Sequence, residues 1–208
     1  MKTILLTITA VLAATIITTA QGRRGSWDKE LYVGGTAGYG HSWVDNMPNV
    51  TEKSSASIGA SFITTRSRLW AWGAGLTVNS LGFNVARSES GTSTLTPVYL
   101  RIPVRGYYFF AQGPVRPMAY LGPEVGVKVA ERSTGRSISG DAVGGQISRW
   151  DAGLSGGLGL NIRFIKSTWI NLSADYYRGM VDAVRWTGGA FNENRNFGGS
   201  IGIFHTVK

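Results

Sequence analysis

The feature that most constrains this chain is a period of two that carries charges through the middle of apolar segments. From Val98 to Phe110, the residues Val98, Leu100, Ile102, Val104, Tyr108 and Phe110 alternate with Tyr99, Arg101, Pro103, Arg105 and Tyr107. From Met118 to Ala130, the residues Ala119, Leu121, Val125, Val127 and Val129 alternate with Tyr120, Gly122, Glu124, Gly126 and Lys128. Successive side chains of a strand point to opposite faces, so each segment has a clean apolar face backed by a polar one. Gln112-Gly113-Pro114 between them is a tight-turn signal and makes the pair a hairpin.

The same reading predicts strands at Leu31–Val44, Ser54–Thr64, Arg68–Ser80, Trp150–Phe164, Thr168–Tyr177 and Arg195–Val207, eight in all. The connections alternate in length. Asp45–Lys53, Asn84–Thr94, Arg132–Arg149 and Met180–Asn194 are long, while Thr65–Ser67, Ala111–Pro114 and Ile165–Ser167 are short. Long connections on one end, short turns on the other and an even strand number describe an up-and-down barrel with both termini at the short-turn end, the periplasmic side of an outer-membrane barrel. The expected fold class is all-β, an eight-stranded antiparallel up-and-down transmembrane β-barrel. In lipid every backbone polar group must pair internally, and a closed barrel does that where an open sheet cannot.

Export is expected from the N-terminus. Lys2 is a positive n-region, Ile4 to Ile17 is apolar but interrupted by threonines, and Thr18-Thr19-Ala20 is a small-residue cleavage site before Gln21. Residues 1–20 therefore read as a cleaved signal peptide and 21–208 as one barrel domain. The chain has no Cys, which excludes disulfides, thiolate metal sites and Cys nucleophiles. Its net charge of +9 is spread singly or in pairs with no dense basic tract, which argues against nucleic acid and leaves anionic lipid headgroups as the counter-charge. Aromatics are expected in two belts. Trp70, Trp72, Tyr107, Tyr108, Phe109, Phe110, Phe164 and Trp169 cluster beside the short turns, with Trp169 on the inward parity, and Tyr39, Trp43, Phe83, Tyr176, Tyr177 and Phe197 lie toward the long connections.

At Tyr99-Leu100-Arg101-Ile102-Pro103-Val104, Tyr107-Tyr108-Phe109, Gly113-Pro114-Val115-Arg116-Pro117 and Tyr120-Leu121-Gly122-Pro123-Glu124-Val125-Gly126, the sequence resembles the PorT-like outer-membrane β-barrel family, small barrels of OmpX/OmpA-like architecture common in Bacteroidota. Gly34-Gly35-Thr36-Ala37-Gly38 and the Gly156 to Leu160 run extend the resemblance from Leu31 to the C-terminus. The resemblance implies an outer-membrane location and insertion by the barrel-assembly machinery, and it implies no catalytic site. Members commonly end on an aromatic residue, whereas here the last residues are His205-Thr206-Val207-Lys208.

Inward parity gathers Arg101, Arg105, Glu124, Lys128, Asp151, Arg163 and Asp175 in a lumen just wide enough to be filled by side chains, so a structural salt-bridge network is expected there. Inward Gly34, Gly38, Gly122, Gly126, Gly157 and Gly159 would make room for it. No catalytic residue, metal site or cofactor is expected. The function expected is structural or surface-binding, through four long loops on a rigid scaffold. Arg132, Arg136 and Arg149 on the longest loop are candidate contacts to lipopolysaccharide phosphates, and a surface ligand or envelope protein is a further partner class. Two alternatives stand beside this. A lipid-modifying enzyme would use His41 with Ser42, since His205 falls at the opposite end; a soluble lipocalin-like ligand-binding barrel would need its apolar faces turned inward.

Overall fold

In the computed structural model the described residues are 29–47, 49–87, 91–134, 147–184 and 191–207, and all regular structure among them is strand. The strands are β1 (Leu31–Val44), β2 (Val50–Thr65), β3 (Trp70–Ser80), β4 (Phe83–Arg87), β5 (Gly91–Phe109), β6 (Val115–Thr134), β7 (Trp150–Ile165), β8 (Thr168–Asp182) and β9 (Glu193–Val207). Each pairs antiparallel with its neighbours, and β1 pairs with both β2 and β9, which closes the sheet. β3 and β4 lie one beyond the other between β2 and β5 and together form one stave. The barrel therefore has eight staves. The expected leader at 1–20 and most of the expected loop Arg132–Arg149 lie outside the described residues.

The strands run further than hydrophobic alternation indicates. The stretch expected as a second long loop, Asn84–Thr94, is mostly ladder, with Phe83 opposite Leu95 and Arg87 opposite Gly91. β2 starts at Val50, so the first long connection shortens as well. Arg132 is a strand residue opposite Thr96 instead of a loop residue. Beyond the lipid both faces meet water, so the pattern of side chains loses its period while backbone pairing continues to satisfy the amides.

The outward face carries the apolar residues. Leu158, Ile58, Ile203, Ile102, Val125 and Leu121 are all exposed on the barrel wall, at mid-strand positions where a soluble protein would hide them. This arrangement overturns the lipocalin-like alternative, which needs the opposite sidedness. The inward face holds two apolar clusters, one at each end. At the turn end Tyr32, Ile63, Tyr107, Phe109, Met118, Tyr120, Trp169 and Phe204 pack together. At the loop end Val44, Met47, Leu81, Phe83, Val85, Leu95, Tyr99, Ile147 and Val184 do the same.

Four aromatics expected in the outer belts, Phe83, Tyr107, Phe109 and Tyr177, are thus buried inside with Trp169, whose parity already pointed inward; parity, more than proximity to a turn, decides where a ring points. The outer ring beside the short turns keeps Trp70, Trp72, Tyr108, Phe110 and Phe164, with Trp70 and Tyr108 4.8 Å apart and Tyr108 and Phe110 5.1 Å apart.

The break between β3 and β4 builds the loop-end cluster. At Leu81-Gly82 the stave steps inward: the Leu81 N–H donates to Pro97 O at 3.0 Å, and the Gly82 N–H donates to Ser42 Oγ at 2.8 Å. The Ser42 hydroxyl in turn donates to Gly82 O at 2.8 Å. Leu81 and Phe83 then stand inside the barrel.

Candidate functional site

Between the two apolar clusters lies a polar chamber, and its walls differ. On the β5–β8 side, Arg101 from β5 donates from Nη1 to Glu124 Oε1 on β6 at 3.3 Å and from Nη2 to Asp151 Oδ2 on β7. Its guanidinium also lies 4.0 Å from the Tyr177 ring centroid on β8. Arg101, Glu124 and Asp151 are all buried. Arg105, two inward positions along β5, donates from Nη2 to Glu124 Oε2 at 3.2 Å and from Nε to Ser155 Oγ at 3.1 Å. Tyr120 donates to Asp175 on β8, Ser173 donates to Asp175 Oδ2 at 3.2 Å, and Ser173 reaches Ser200 on β9 at 2.7 Å. A line of hydrogen bonds, charge-assisted from β5 to β8 and completed by a hydroxyl pair between β8 and β9, thus ties these strands from within.

Two glycines make this wall possible. A Cβ on Gly126 would stand 2.6 Å from Arg101 Cγ, and one on Gly157 would stand 2.5 Å from the Tyr120 hydroxyl. Each leaves the depth of one side chain for the residue beside it. The opposite wall, from β2 and β3, offers mostly short groups such as Ser57, Ser61, Gly73, Gly75 and Thr77, with Ile63 and Asn79 among them. They do not fill the space facing the arginines, and a cavity of about 120 Å³ remains. A polar space of that size has room for several waters. The chamber holds hydroxyls, amides and paired ions, a set suited to binding water and cross-linking strands.

The structure brings together Arg101, Arg105, Glu124 and Asp151, with Asp175 in the adjoining hydroxyl cluster. Two residues expected in the lumen network stand apart from it. Lys128 lies at the loop end, where Nζ donates to Glu131 Oε2 at 2.7 Å and to Ile147 O at 2.8 Å. Arg163 lies exposed at the turn end, its guanidinium 4.7 Å from the Trp169 ring centroid. Both have inward parity, but they sit too near a mouth to reach the middle: parity sets the face and leaves the depth open. Arg132 and Arg149 are exposed at the loop end, and Arg136 lies outside the described residues.

His41 and Ser42 do not form a pair. His41 faces outward, 3.9 Å from Glu52, while Ser42 faces inward and is held in both directions by Gly82. His205 is at the turn end, with Nδ1 3.3 Å from Thr168 Oγ1. The inward tyrosines Tyr99, Tyr120 and Tyr177 are members of the lumen that sequence reasoning left out of the network, although Tyr99 shares the parity of Arg101 and Arg105 and was legible from that.

A family model described as the outer membrane protein beta-barrel domain matches residues 19–185, most of the chain. The chain belongs to that family. Among solved structures, the outer-membrane barrel is similar to the outer membrane protein OprG from Pseudomonas aeruginosa, at 14% identity and a TM-score of 0.59, covering 88% of this chain and 98% of that one. It is also similar to Ail, the attachment invasion locus protein of Yersinia pestis, in complex with the heparin analogue sucrose octasulfate, at 16% identity and a TM-score of 0.47, covering 86% and 99%. Likeness at these identities concerns the fold. No curated protein matches the sequence. The outer-membrane barrel lies in the bacterial outer membrane, with its exposed Leu, Ile and Val wall against lipid.

Proposed function

We propose that this outer-membrane barrel is a non-catalytic, non-conducting PorT-like scaffold. Its lumen is closed from within, and its work is done at the loop end against lipopolysaccharide or another envelope component. The short turns and both termini face the periplasm, the barrel-assembly machinery inserts the chain, and the segment before Gln21 is removed on export. One observation carries the reading: a buried Arg101–Glu124–Arg105 and Arg101–Asp151 network sits between two apolar clusters, so the middle of the lumen is cross-linked and both ends are occupied by hydrophobic side chains. An ion crossing would have to displace desolvated charges already paired with one another, which is costly. The separation of outward His41 from backbone-bound Ser42 supports the absence of hydrolysis there.

The test is conductance in a planar bilayer. The purified barrel, shown to be inserted, is expected to give no discrete current steps. Reproducible single-channel steps that change when Arg101 or Glu124 is substituted would contradict the closed-lumen reading.

A further inference from the structure

The charges of the barrel are distributed unequally between its ends. At the loop end, among the described residues, the chain carries the cations Lys53, Arg87, Lys128, Arg132, Arg149, Arg178 and Arg195 and five carboxylates: Asp45, Glu52, Glu131, Asp182 and Glu193. Several are paired, with Arg195 2.6 Å from Asp45 and Arg178 2.9 Å from Glu193. At the turn end Lys29, Arg66, Arg68, Arg116, Arg163 and Lys166 face a single described carboxylate, Glu30. All of these cations except half-buried Arg116 are exposed.

We propose that this turn-end rim is a docking surface for anionic phospholipid headgroups. The argument is one of depth as well as charge. Exposed Trp70, Phe110 and Phe164 with half-buried Tyr108 form an outward aromatic ring at this end, which marks the boundary between hydrocarbon and headgroups. Arg66 and Arg68 lie on the turn immediately before Trp70, and Lys166 follows Phe164 by two residues. Arg66 stands opposite Trp70, level with the ring, while Arg68 at the turn apex and Lys166 lie one or two residues beyond it, roughly 3 to 7 Å at about 3.3 Å per residue, and all three carry long side chains that reach outward from there. The headgroup layer on each side of a bilayer is about 5 to 8 Å deep, so the cations fall at the level of the phosphates.

The turn that bears Arg66 and Arg68 is built: the Arg66 and Ser67 N–H groups donate to Trp70 O at 2.8 and 3.1 Å, and the Trp70 N–H donates to Ser67 Oγ at 3.1 Å. Behind the rim Arg116 and Arg163 lie 4.4 and 4.7 Å from the Trp169 ring centroid, which keeps their positive charge at the mouth over a closed apolar floor. Commitment to phospholipid, as opposed to lipopolysaccharide, rests on the proposed periplasmic orientation of this end, because the phospholipid leaflet is the one facing the periplasm.

The full mature chain is placed in nanodiscs of phosphatidylcholine with a minor fraction of phosphatidylglycerol, and the lipids it retains on release are counted by native mass spectrometry. A basic residue at an anionic surface is worth about a fivefold change in partitioning, falling with salt. Retained lipid is expected to be several-fold enriched in phosphatidylglycerol over the disc, and Arg66→Gln/Arg68→Gln/Lys166→Gln is expected to return it to the bulk ratio while heat-modifiable mobility stays intact. Retention at the bulk ratio by the unaltered chain overturns the proposal, as does enrichment that survives the triple variant and is lost in Arg178→Gln/Arg195→Gln. A chain that never enters the discs, with no heat-modifiable band, sinks the barrel reading and this proposal with it.

Discussion

Arg101→Ala is expected to destabilise the folded barrel by about 3–5 kcal/mol, the range for removing one partner of a buried ion pair. Arg101 is shared between Glu124 and Asp151, and all three are buried. Glu124 keeps Arg105 when Arg101 is lost, but Asp151 loses the ion-pair partner that compensates its burial. The cost is dominated by that stranded carboxylate. A double variant, Arg101→Met with Asp151→Asn, removes the stranded charge together with its partner while Glu124 keeps Arg105, and is expected to recover most of the loss, because neutral groups of similar volume leave no unpaired ion. Urea unfolding of the barrel reconstituted in vesicles measures both. A single variant within about 1 kcal/mol of the parent would mean that water in the chamber reaches Asp151, and that the network does not hold the lumen.

The second large effect tests what lies against the outer wall. Leu158 stands at the middle of β7, between Ala119 and Ala174 on the flanking strands, and is 66% exposed. In water a substitution at such a site stays within about 0.5 kcal/mol, whereas a charged residue on the lipid face at the bilayer midplane costs about 2–4 kcal/mol. Leu158→Arg is therefore expected to lose about 2–4 kcal/mol. Gln112→Arg, on the exposed turn between β5 and β6, is expected to change stability by less than about 0.5 kcal/mol. The same urea titration in vesicles separates them. Equal tolerance of both substitutions would place Leu158 in water and contradict the membrane wall.

The architecture was legible because the central strands carry two signals at once. Leu100, Ile102 and Val104 fix an apolar face, while Arg101 and Arg105 fix the opposite face as polar, and only a wall between lipid and a filled lumen needs both in one strand. The alternating lengths of connections then set an even, up-and-down order. The partners of Arg101 were legible for the same reason: Glu124 and Asp151 share its parity and lie at similar depth.

Depth along the barrel was less legible, because it depends on shear, and parity does not encode shear. Arg163 and Lys128 have the inward parity of the network and end at the two mouths instead. The expected third strand stops at Ser80, where the alternation ends at Leu81-Gly82. In three dimensions that pair is an inward step locked by Ser42 from β1, a contact forty residues away in sequence that no local pattern shows. The step is what delivers Leu81 and Phe83 to the loop-end cluster, so the closure of that mouth was invisible together with it.

The measurement that bears most directly on a closed barrel in lipid is the gel mobility of the protein extracted from outer-membrane fractions, compared with and without boiling. β1 pairing with both β2 and β9 leaves no free sheet edge at which detergent could begin to open the structure. The unboiled protein is therefore expected to run as a compact, faster band that shifts to the position of the unfolded chain on heating. Recovery from the soluble periplasmic fraction, with one band at the unfolded position whether boiled or not, would contradict the account.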